Sequence, residues 1–74
     1  MGLVNIYLSE NGPAVIRPDG TKIWYNHGKI HRIDGPAIIY SDGIFAYFIE
    51  DRQCLRSNFE YLASIWIVNQ VLNT

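Results

Sequence analysis

Asn26-His27-Gly28-Lys29-Ile30-His31-Arg32-Ile33-Asp34-Gly35-Pro36-Ala37 is the stretch that decides the fold. Its first three residues are turn formers, Lys29 to Ile33 reads as a short strand, and Asp34-Gly35-Pro36 turns the chain again. Two reversals this close together leave room only for short strands joined by tight turns. Such strands run antiparallel, because parallel neighbours need long crossover connections. Alternation places Ile30 and Arg32 on one face of this strand and Lys29, His31 and Ile33 on the other.

The same grammar extends in both directions. Residues 3–8 are rich in strand formers, and Ser9-Glu10-Asn11-Gly12-Pro13 ends them. Strands follow over 14–17 and 21–25, separated by Pro18-Asp19-Gly20, in which proline presets one corner and glycine accepts a positive φ. Beyond the central stretch, 37–40 and 44–49 are strands about the turn Ser41-Asp42-Gly43. Residues 50–56 form a polar connection, and Ser57-Asn58-Phe59-Glu60 has capping-box form for a helix over 57–72. Phe59, Leu62, Ala63 and Trp66 make one apolar stripe on that helix, and Tyr61, Ile65, Val68 and Leu72 make a second. A small sheet needs only one of them, so either the helix is sandwiched against the sheet or its spare stripe meets another chain. The expectation is a single α+β domain over 1–74: an antiparallel β-meander of about six strands over 1–49, then a C-terminal helix.

Laying 11–26 over 34–49 reveals an internal repeat with a period of 23 residues. Gly12/Gly35, Pro13/Pro36, Ala14/Ala37, Ile16/Ile39, Asp19/Asp42 and Gly20/Gly43 are identical, and Trp24/Tyr47 and Tyr25/Phe48 are conservative. These are turn formers and strand cores, so the unit is a hairpin with its leading turn. One such unit cannot bury its own apolar face, which is why units stack.

Size makes help from outside the domain attractive. A chain of 74 residues buries only roughly 60% of its unfolded surface. Cys54 is the only cysteine, so no internal disulfide can brace it, and a lone thiol suits a reducing cytoplasm. A homodimer, through the helix or a sheet edge, is the expected remedy. A net charge of −1 argues against a nucleic-acid binder, which needs a basic stripe. Arg17, Lys22, Lys29 and Arg32 do sit among aromatics that could stack bases, but Glu10, Asp19 and Asp34 are interspersed. The first residues lack the basic and long apolar regions of a secretory leader, and Ile65-Trp66-Ile67-Val68 is too short for a bilayer. A soluble cytoplasmic protein is expected.

No motif here carries covalent chemistry. His27, His31 and Cys54 fall short of the four ligands structural zinc wants, and His31 and Arg32 are better read as bracing the turn through Asp34 or backbone carbonyls. Cys54 has no base and orienting group implied beside it. The Gly-Pro-Ala turns lack a P-loop lysine. The chain therefore reads as neither an enzyme nor a cofactor carrier. What remains is recognition: Asp42, Glu50, Asp51 and Glu60 give the second half an acidic edge, and Trp24, Tyr25 and Tyr47 are aromatic anchors for a protein partner. Tyr61, Ile65, Val68 and Leu72 are the candidate oligomer contacts.

Residues 24–37 (Trp24-Tyr25-Asn26-His27-Gly28-Lys29-Ile30-His31-Arg32-Ile33-Asp34-Gly35-Pro36-Ala37) resemble the WYxNGKxHRxDGPA hairpin repeats of small bacteriophage proteins. Those repeats are similar in style to MORN-type repeats, and the resemblance covers about residues 11–49. It implies a phage-encoded protein made in a bacterial cytoplasm that binds and disables a host protein, the replication sliding clamp being one example of such a target. It is specific for a fold and weak for a function. This chain departs from the pattern in having only two repeats and in ending on a helix that a repeat array does not require. A nucleic-acid module and a structural scaffold are the alternatives.

Overall fold

The structure, a computed structural model, describes residues 13–72. It is an α+β fold of short antiparallel strands followed by one C-terminal helix. The strands are β1 (Val15–Ile16), β2 (Lys22–Ile23), β3 (Tyr25–Asn26), β4 (Lys29–Ile30), β5 (Ile38–Ile39), β6 (Phe45–Ile49) and β7 (Arg52–Cys54). The helix is α1 (Arg56–Leu72). The strand expected over 3–8 lies outside the described residues.

The 23-residue repeat is reproduced down to single hydrogen bonds. In the first unit Val15 pairs with Ile23 and Ile16 with Lys22; in the second Ile38 pairs with Ala46 and Ile39 with Phe45. Arg17 N donates to Thr21 O and Gly20 N to Arg17 O, as Tyr40 N does to Ile44 O and Gly43 N to Tyr40 O. Gly20 (φ 95°) and Gly43 (φ 90°) supply the left-handed residue that each of these three-residue loops needs. The Asp19 carboxylate accepts from Thr21 N at 2.9 Å, and that of Asp42 from Ile44 N at 3.1 Å.

The unit is longer than the sequence comparison implied. Tyr25–Asn26 pairs with Lys29–Ile30 across His27 (φ 53°) and Gly28 (φ 78°). Twenty-three residues on, Phe48–Ile49 pairs with Arg52–Gln53 across Glu50 (φ 50°) and Asp51 (φ 69°). Two successive positive φ values make both connections type I′ turns. The supposed polar connection over 50–56 is thus a hairpin turn, a strand and the start of α1. No glycine or asparagine announced that turn, so the alternation appeared to stop at Ile49.

One pairing departs from a simple meander. The strand expected over 21–25 breaks at Trp24: β2 stays in a sheet of order β1-β2-β5-β6-β7, and β3 leaves to pair with β4. Lys22 therefore pairs directly with Ile39, and Ile23 with Ile38, the first unit joining the second without β4 between them. Trp24 bridges the break, donating its N–H to Ala37 O and accepting at its carbonyl from His31 N. The end of β4 docks onto the second unit, with Arg32 N donating to Phe48 O and Asp51 N to Ile30 O.

The core is small, as the chain length demands. Ile23, Ile38 and Ala46 form one cross-strand row, with Ile30 and Phe48 packed against it. Pleating turns Tyr47 to the opposite face of β6, where its ring meets that of Phe59 at 4.7 Å between centroids. α1 lies on that face and buries only Phe59 and Ala63. It begins at Arg56, so Leu55 and not Ser57 takes the cap position, and Ser57 and Glu60 are already inside the helix. The junction with β7 sets this start, ahead of the local capping signal.

Candidate functional site

Most of the residues expected to meet a partner are engaged within the fold. Trp24 is buried, and the Arg32 guanidinium lies 4.0 Å above its ring. Arg32 also bonds the Asp34 carboxylate through Nε at 2.9 Å and Pro36 O through Nη1 at 3.0 Å. The bracing role expected of Arg32 is therefore in place. Gly35 belongs to this cluster: a Cβ there would stand 2.9 Å from Arg32 Cζ, so close approach rather than a left-handed backbone calls for glycine. Tyr47 is half-buried beneath Phe59, and Tyr25 is the one member of the aromatic set that stays exposed.

Two of the four acids hold the fold together as well. Asp51 Oδ1 accepts from Ile30 N at 2.7 Å, tying the second I′ turn to β4. Glu50 Oε2 accepts from the indole N–H of Trp66 at 2.7 Å, tying the same turn to α1. That bond, first among several favourable contacts, holds the Glu50 carboxyl below the usual carboxylate range. Asp42 serves its own loop, as described above. Glu60 is exposed and faces an open concavity of about 360 Å³, whose lining also includes Asp34, Tyr47, Arg56, Ser57 and Phe59.

Sequence reasoning gave His31 a bracing role but did not connect it to Trp66. Its ring lies 4.5 Å from that of Trp66, tilted by 53°, and Nδ1 accepts from Glu50 N at 3.1 Å. An accepting Nδ1 puts the proton of the neutral ring on Nε2. Burial is the main cause of a lowered His31 pKa; nearby Glu50 opposes that shift and His27 adds to it. His31, Glu50 and Trp66 thus form a polar clasp between β4, the second I′ turn and α1. The position of Trp66 on the inner stripe of α1 was the available signal.

The uncovered surfaces are apolar. Tyr61, Ile65, Val68 and Leu72 are 70%, 40%, 53% and 75% exposed, on the side of α1 opposite Phe59, Ala63 and Trp66. The structure brings these four together as the periodicity required. A second apolar surface lies on the sheet. The register places Ile16, Lys22, Ile39 and Phe45 in one cross-strand row. Alternation puts Phe45 on the Tyr47 face of β6, the face that α1 covers only over the β6–β7 end. Ile16 and Phe45 are largely exposed and Ile39 is half-buried, while Tyr40 and Ile44, the next pair along the same two strands, are exposed on the opposite face.

Among the described residues no cluster of three or more metal-ligating side chains occurs. No helix among them is long and apolar enough to cross a membrane. Burial pushes the Cys54 thiol up, away from the thiolate a nucleophile requires. In comparisons with known proteins, no family model, curated protein or solved structure matches this chain.

Proposed function

We propose that this chain is a non-catalytic protein-binding module that occupies the working surface of a bacterial host protein, with the DNA polymerase sliding clamp as the first target to test. The observation that carries the reading is the exposed apolar side chains of Ile16 and Phe45 in one sheet row, with Lys22 and half-buried Ile39 between them. Monomeric domains rarely leave more than a few hundred Å² of contiguous apolar surface open to water, and such patches mark contact sites. Lys22 is the only charge in the row, so the complementary surface is apolar with an acidic neighbour. Steric occupation asks for shape and a few anchors, which suits a chain whose Asp42, Glu50, Asp51 and His31 side chains bond within its own fold. The choice of a host protein, and of the clamp, rests on the resemblance of residues 24–37 to phage repeat proteins.

A nucleic-acid module finds less support. Arg32 and Trp24, its best stacking pair, are locked against each other, and the Trp24 ring is buried.

The test is calorimetric titration of the purified chain into purified sliding clamp, alongside the Phe45→Glu variant. Micromolar or tighter binding that falls at least tenfold for Phe45→Glu supports both the target and the face. Absence of binding removes the clamp, and equal binding by the variant removes the sheet row.

A further inference from the structure

We infer that the outer stripe of α1 is a self-recognition seam, on which two copies of this chain pair through antiparallel helices about a two-fold axis. Tyr61, Ile65, Val68 and Leu72 are spaced four, three and four residues apart, the alternation of successive d and a positions in a heptad. In that frame Phe59, Ala63 and Trp66 fall on the far side, where they hold α1 to its own sheet. The seam is thus presented by a helix that is already fixed.

Charge selects the occupant. No Asp, Glu, Lys or Arg occurs between Tyr61 and Leu72. The positions flanking the seam, Leu62, Ser64, Asn69 and Val71, are where paired helices usually place the charges that exclude or choose partners. Here they are neutral, so like meets like without repulsion, and no charge recruits a different helix. Ser64 turns its hydroxyl back to Glu60 O at 2.8 Å, so it brings no unpaired donor into the contact. An antiparallel arrangement opposes the two helix dipoles and leaves each sheet on the outside, in the layer order sheet, helix, helix, sheet. Its axis passes between residues 66 and 67, setting Tyr61 against the partner's Leu72 and Ile65 against the partner's Val68.

Area sets the strength. The exposures of the four residues amount to on the order of 450 Å² per helix, so the pair buries at most about 900 Å², short of the roughly 1,200 Å² at which stable specific interfaces begin. A reversible dimer in the micromolar range is expected. The seam is separate from the sheet row, so the two proposals fail independently.

Sedimentation equilibrium of the full chain from about 1 to 500 µM tests it, with circular dichroism to verify the fold of each variant. Monomer should give way to dimer with concentration. Ile65→Glu and Val68→Lys, each on the exposed face, should each leave a folded monomer. The double variant I65E/V68K should recover the dimer, because only antiparallel pairing sets the new acid against the partner's new base. A chain monomeric throughout, or single variants that still dimerise, would overturn the seam. A double variant that stays monomeric would overturn the antiparallel register. Phe45→Glu should dimerise normally, which separates this result from failure of the target reading.

Discussion

Trp66 joins three elements, and its removal tests how this small domain is held together. The ring packs at a tilt against buried His31, and its N–H reaches Glu50 in the second I′ turn. Truncating a fully buried tryptophan to alanine costs about 3–5 kcal/mol. Trp66 is half-buried, so Trp66→Ala should cost about 2–3 kcal/mol. In a domain of this size each kcal/mol lowers the melting temperature by about 4–8 °C, so the midpoint should fall by roughly 10–20 °C. Trp66→Phe keeps a ring on His31 while deleting the donor to Glu50, and should lose less. Val68→Ala, on the exposed stripe, should stay within about 0.5 kcal/mol of the parent. The assay is thermal and urea unfolding followed by circular dichroism at low micromolar concentration, where the proposed pairing contributes least. A midpoint shift below about 3 °C for Trp66→Ala would refute the clasp, because α1 would then be held by Phe59 and Ala63 alone.

Acid should weaken the fold in two steps. The folded state lowers the His31 pKa from 6.5, so below that value the unfolded chain takes up the proton first, and stability falls until the folded ring also titrates. The lowered carboxyls of Glu50 and Asp19 contribute stability above their ordinary values of 4.5 and 3.8, lost as pH drops through their folded values. Urea midpoints between pH 7.5 and 4.5 should show the upper step, and His31→Gln should flatten it; an unchanged slope would remove His31 as its source. Gly35→Ala should cost about 1 kcal/mol by displacing the Arg32 guanidinium, and much less in an Arg32→Ala background. A double-mutant cycle with no coupling would show that the close approach is not what the glycine serves. Asp51→Ala should cost about 1 kcal/mol, since it strands Ile30 N and keeps a positive φ. Asp51→Asn, which retains an acceptor and tolerates that φ, should be nearly neutral by urea unfolding.

The sequence was most legible where backbone geometry demands particular residues. Gly20 and Gly43 each mark a loop whose corner only a left-handed residue can close, and both loops sit where the reading placed them. The second I′ turn was invisible because Glu50 and Asp51 adopt positive φ without the usual glycine or asparagine. Their side chains offset that strain with bonds to Trp66 and Ile30, contacts that sequence spacing does not reveal. The only hint was to continue the 23-residue offset past Ile49. The break at Trp24 was hidden for a related reason: one continuous strand pattern serves two sheets in succession. On the functional side, the spare stripe of α1 was readable because helical periodicity alone defines it. The bonds that Asp42, Glu50 and Asp51 make within the fold were not legible, since a carboxylate looks the same in sequence whether it meets water, a partner or its own backbone.

The exact recurrence of register gives this fold an adjustable length. The strand register and the loop hydrogen bonds of the first unit return at a fixed offset in the second, the break at Trp24 aside, and α1 then follows the second unit. Chain length can therefore change in whole units while the terminating helix and its outer stripe stay as they are. Each added unit would move β1, the first strand among the described residues, farther from α1 by further strands, so the number of copies acts as a ruler. In such a molecule, reach can be tuned by duplicating or deleting a segment without redesigning either end.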